Sequence, residues 1–209
     1  MTNFIPLFPL SIVVYPGERL NLHIFEPRYK QLITDCNTNG KPFGIPTVLN
    51  NELQPYGTLV SLVEVTNVHE DGTMDIKTEG IQVFEILEPI HTLPNKLYNG
   101  AIVSYPANAL QGRATIMQQV LDMVATLHKY LQVEKKFSKP SHLLTAYDVA
   151  HHVGLTLTDE YEMLQLLQEA QRQEYLKRKL TKTLLVIQEM QNLKEKIQLN
   201  GHFKTLTGL

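Results

Sequence analysis

Along this 209-residue chain the hydrophobic period changes from two to about 3.6 near Pro106, and no other feature constrains the fold as strongly. Before that point, short apolar runs are punctuated by turn residues. Ile5, Leu7 and Phe8 form a run cut by Pro9; Ile12, Val13 and Val14 form a second, cut by Pro16-Gly17; Leu20, Leu22 and Ile24 then alternate with Asn21, His23 and Phe25. Pro27 suits the first position of a helix carrying Tyr29, Leu32 and Ile33, because its missing N–H costs nothing there. The run Gly44 to Leu49 reads as a strand and the following NNELQPYG as a loop. Thr58 to Glu79 reads as a hairpin turning at Asp71-Gly72, broken by Gly80, with strands expected again over Ile81 to Glu88 and in AIVSY, which ends at Pro106.

From Ala114 the spacing of Ile116, Met117, Val120, Leu121, Val124, Leu127 and Leu131 predicts an amphipathic helix. The basic link KKFSKPS follows. Ser141 is expected to cap a helix ending at Gly154, and Thr158 a third one whose first turn holds Asp159 and Glu160, the signs its dipole favours. A last long helix is expected from about Gln173 to Leu199, stopping at Asn200-Gly201. Strands first and helices after them imply an α+β fold: a β-rich domain over residues 1–106 and a helical bundle over 107–209.

The opening segment, IPLFPLSIVVYPGERLNLHIFEPRY, is similar to that of the Lon substrate-binding domain family: an LPLFPL-type run, a Pro-Gly turn, then IFEPRY. GTLVSLVEV, a turn, and EGIQVFEI continue the likeness; family members often carry arginine in that last strand, where this chain has Gln82 and Phe84. The resemblance implies a PUA-like β-domain followed by helices. It also implies non-catalytic recognition of unfolded or damaged polypeptide, with a protease, a chaperone or a second copy of the chain as further candidate partners; the alternatives are RNA or small-ligand binding by the β-domain, or a structural adaptor acting through the last helix.

The sequence offers little for catalysis. The nearest approach to a phosphate-binding loop is Gly40-Lys41, but Asp35 stands where its first glycine belongs and Pro42 replaces the hydroxyl that would hold magnesium. None of Ser11, Ser61, Ser104, Ser138 and Ser141 lies in a G-x-S-x-G sequence, and the chain has no room for the ATPase and peptidase domains of a Lon protease. His151-His152 are neighbours that point about 100° apart on a helix, without an H-E-x-x-H pattern. No enzyme activity, cofactor or metal is therefore expected. With 19 Lys+Arg against 21 Asp+Glu, and with Arg19, Arg28, Lys30, Lys41, Lys77 and Lys96 scattered over the β-half, nucleic acid is not an expected ligand. One cysteine, Cys36, no basic leader and no long apolar run point to a cytoplasmic protein without a membrane span. The candidate client contacts are Phe8, Tyr15, Phe25, Glu26, Arg28 and Tyr29. Each has an alternative structural role: the aromatics can close the core, and Arg28 can make a local ion pair.

Overall fold

The computed structural model of the protein describes residues 3–206. Its six strands are β1 (Asn3–Pro6), β2 (Arg19–Ile24), β3 (Phe43–Leu49), β4 (Glu52–Val68), β5 (Met74–Ile90) and β6 (Gly100–Ser104). They form one antiparallel sheet in the order β1-β6-β5-β4-β3, with β2 added beside β5. Beyond β1 the chain runs parallel to β3, where the amide of Phe8 donates to Gly44 O (2.8 Å) and that of Val48 to Leu10 O (2.8 Å). This last ladder closes the sheet into a barrel and removes two edges.

The described residues also form five α-helices: α1 (Pro27–Asn39), α2 (Ala114–Leu131), α3 (Ala146–Ala150), α4 (Leu157–Leu164) and α5 (Glu169–Leu206). Proline opens α1 and Gly40, in the left-handed conformation at φ 60°, ends it. The helix buries Tyr29, Leu32, Ile33 and Cys36, spaced three and four apart, against a barrel core that includes Phe8, Val14, Ile24, Phe43, Ile45, Val60 and Ile76. Each such aliphatic side chain contributes about 1.5–3 kcal/mol of burial. Helices α2 to α5 enclose a second core that also takes in Val13, Tyr15 and Val83 of the β-half. At ~1.5 Å per residue the 38 residues of α5 span about 57 Å. No helix among the described residues is long and apolar enough to cross a membrane.

The expected α+β order holds, with local corrections. Ile12 to Val14 form no strand: Val13 and Tyr15 face the helical core while Val14 faces the barrel core, so this apolar run is a two-sided seam. The expected loop at 50–57 is only a turn, because Asn50 (φ 52°) and Asn51 (φ 65°) adopt the left-handed pair that a two-residue hairpin needs, and β4 begins at Glu52. Nor does Gly80 break its strand. It sits at a bulge inside β5, where a Cβ would lie 2.2 Å from Tyr15 O, so close backbone approach explains the glycine. Thr145 and Thr156 precede α3 and α4, in place of Ser141 and Thr158; in each case an aspartate three residues on accepts from the threonine N–H. Helix α5 begins earlier than Gln173 and continues through Asn200-Gly201.

Candidate functional site

The six candidate contacts divide into two groups. Phe8, Tyr15 and Tyr29 are buried and present no surface to a client. Phe8 packs on Tyr29 with ring centroids 4.1 Å apart, and Tyr15 stacks on Tyr147 at 4.9 Å while its hydroxyl donates to Glu160 O (3.0 Å). Burial, with Glu160 and Glu18 nearby, raises the Tyr15 pKa far above the ordinary phenol range. The other three lie at the surface where β2 runs into α1. Phe25 is 63% exposed, and Arg28 pairs with Glu26 (2.7 Å) while its guanidinium lies 4.6 Å from the Tyr29 ring centroid. Tyr29 thus packs in the core, while Arg28 makes the local ion pair and keeps half of its side chain exposed.

Sheet topology gives that surface its character. Along one edge of β5, Met74 to Glu79 pair with β2 and Glu85 to Ile90 with β6. Only β6 carries the ring onward through β1 to β3, so β2 is left outside the closed barrel. Among the described residues no strand pairs with the other edge of β2. A six-residue edge with unpaired main-chain groups, ending in an exposed phenyl ring, can accept an extended segment by strand addition.

Two polar arrangements hold the helices in place, and sequence reasoning missed both. His151 lies in a cleft of about 630 Å³ between barrel and helices, with Nε2 3.1 Å from Glu18 Oε2 and Nδ1 2.7 Å from Glu160 Oε1. Burial disfavours its charge, but hydrogen bonds to Glu160 and Glu18 outweigh that penalty and push its pKa up to about 9. Deeper in, fully buried Arg172 donates from Nε to Glu169 Oε2 (2.9 Å) and from its terminal nitrogens to Asn108 Oδ1 (2.8 Å), Leu166 O (2.6 Å) and Ala109 O (3.0 Å). The segment leaving the barrel is thereby tied to α5. A charge among the first residues of a helix gives no sequence sign of such burial. Cys36 is buried as well, and burial followed by the nearby Asp35 charge pushes its thiol up to about 11, so it is no nucleophile at neutral pH.

The family described as the ATP-dependent protease La (LON) substrate-binding domain matches residues 5–194. This chain belongs to that family. Among solved structures, the Lon N-terminal domain protein from Xanthomonas campestris is similar at a TM-score of 0.62 and 24% identity, covering 83% of this chain and 96% of that one. The N-terminal domain of Mycobacterium avium complex Lon protease gives 0.61 and 14%, covering 86% and 98%. At these identities the two likenesses concern the fold alone. Within the LON substrate-binding domain family, the resemblance first carried by the IFEPRY segment extends over the barrel and most of α5.

Proposed function

We propose that this member of the LON substrate-binding domain family is a non-catalytic cytoplasmic receptor for unfolded or damaged polypeptide, passing clients to a proteolytic or chaperone partner. The observation that carries this reading is the free edge of β2 with exposed Phe25 at its end. Main-chain pairing along β2 tolerates many client sequences, and Phe25, Glu26 and Arg28 supply the side-chain contacts. Burying about 100 Å² of the Phe25 ring contributes about 2–3 kcal/mol before the cost of ordering a client, so one ring alone supports only weak binding. RNA binding finds less support, since Arg19, Arg28, Lys77 and Lys96 are each paired with an acidic side chain.

The test is fluorescence anisotropy with a labelled unfolded peptide and a labelled single-stranded RNA at low and physiological salt. Peptide binding that changes little with salt and weakens about 10-fold in Phe25→Ala, but not in Phe4→Ala, is expected. Salt-sensitive RNA binding without peptide binding would overturn the reading. The same preparations should neither hydrolyse ATP nor cleave casein.

A second reading, contact with a partner through α5, is favoured by its far half. Leu176 and Leu180 are buried on α2, whereas Val186, Met190, Leu193 and Ile197 are exposed at spacings of four, three and four. If this stripe pairs with another chain, Met190→Lys should abolish co-sedimentation with that chain while leaving peptide binding intact.

A further inference from the structure

At the hairpin end, β2, β5 and the residue just past β4 bring together His23, His69 and Asp75. His23 on β2 stands opposite Asp75 on β5, and Asn67 on β4 stands opposite the same Asp75 from the other side. His69, one residue past the end of β4, reaches the same Asp75. Nδ1 of His23 lies 2.7 Å from Asp75 Oδ1, and Nε2 of His69 lies 2.8 Å from Asp75 Oδ2. One donor atom from each residue falls within 4.8 Å of the others.

From this convergence we propose that His23, His69 and Asp75 bind a divalent transition-metal cation, zinc foremost. Two imidazole nitrogens and one carboxylate oxygen make a donor set that zinc accepts while keeping a position open. Two donors at about 2.1 Å from a tetrahedral zinc lie about 3.4 Å apart, so a small rotation of the side chains suffices. The two imidazole centroids already stand 5.7 Å apart at a steep angle, close to the roughly 5 Å of two rings whose nitrogens meet at one cation. Asn67 Nδ2 lies 3.3 Å from His69 Nδ1 and 3.4 Å from its Nε2, so this amide packs along the edge of the ring.

The support is rigid. His23 and Asp75 lie on paired strands, and the adjoining turn is held by Asp71: its Oδ1 accepts from the Thr73 N–H (2.9 Å) and its main-chain oxygen from Lys30 Nζ (3.1 Å). The side chains of His23 and His69 are about half open to solvent, at 53% and 40%, so water or a donor from another molecule can complete the coordination. With nitrogen donors and only one carboxylate, the set disfavours calcium and magnesium.

Isothermal titration of the tag-free full chain with zinc chloride tests the proposal, with cobalt(II) absorption as a second readout of tetrahedral nitrogen–oxygen coordination. One zinc per chain is expected, weakened at least about 100-fold in His23→Gln/His69→Gln and retained in His91→Gln/His142→Gln, both of which circular dichroism should show folded. Magnesium at millimolar concentration should not compete. No zinc binding up to about 1 mM, or binding that survives in His23→Gln/His69→Gln, would overturn the proposal.

Discussion

Replacing His151 by glutamine should destabilise the protein in slightly acidic solution and hardly at all in alkaline solution. The imidazolium bridges Glu18 on the turn before β2 and Glu160 on α4, so it joins barrel to helices. An unfolded-state histidine titrates near 6.5, whereas here two carboxylates, overcoming burial, hold the pKa at about 9. Below pH ~6.5 both states carry the proton, and the stabilisation is fully present. As pH rises toward about 9 the unfolded state has lost a proton that the folded state still holds, so stability falls; above the folded pKa the contribution is gone. Full conversion of the shift would give about 3.4 kcal/mol, but the side chain is 35% exposed, and solvent screening reduces that to about 1–2 kcal/mol. Urea denaturation followed by circular dichroism at pH 6, 7.5 and 9.5 should show a wild-type advantage of about 0.5 M in midpoint at pH 6 that vanishes by pH 9.5. An advantage that is constant, or that grows with pH, would refute the argument.

Arg172→Met should cost about 3–5 kcal/mol by stranding the Glu169 carboxylate, and Glu169→Gln in the same chain should recover much of the loss; independent, additive losses would show the pair uncoupled. Gly80→Ala should cost about 1–3 kcal/mol because its Cβ would press on Tyr15 O, and a midpoint within error of wild type would contradict the close approach. If residues 1–106 and 107–209 act as separable domains, limited proteolysis should nick first in the exposed link between α2 and α3, at 132–140, or in the loop at 93–97, leaving the β4–β5 hairpin intact; early cuts at 58–79 would speak against that division.

Much of the fold could be read from local chemistry. Pro27 and Gly40 bound α1, the apolar stripe from Met117 to Leu127 marks the buried face of α2, and Asp71-Gly72 marks the hairpin turn. At two of the places where the reading failed, the deciding partner lay far away in sequence. Gly80 resembles a strand breaker until Tyr15 O is found against it, and Ile12 to Val14 resemble a strand until two cores are found on opposite sides. The surface followed the same logic. Aromatics spaced for a strand or helix carry no label for which side is wet, so Phe8 and Tyr15 could not be told from Phe25. His69 and Asp75 face each other across the hairpin that Asp71-Gly72 marks, but His23 joins them only because β2 pairs with β5, which no local motif announces.

The exposed edge of β2 follows from how the barrel closes. Strand β5 is 17 residues long and pairs with β4 along most of its length, so its other side must be shared between β2 and β6. Only the strand that leads to β1 can join the ring, since β1 and its continuation are what meet β3. Strand β2 is therefore excluded whatever its sequence, and its sequence manages the consequence: it is six residues long, and Arg19, Asn21 and His23 place polar groups on its solvent face. A longer apolar edge would pair with any neighbouring chain and aggregate. A short polar edge next to one exposed phenyl ring limits pairing to weak, reversible contacts, as the proposed polypeptide receptor would require.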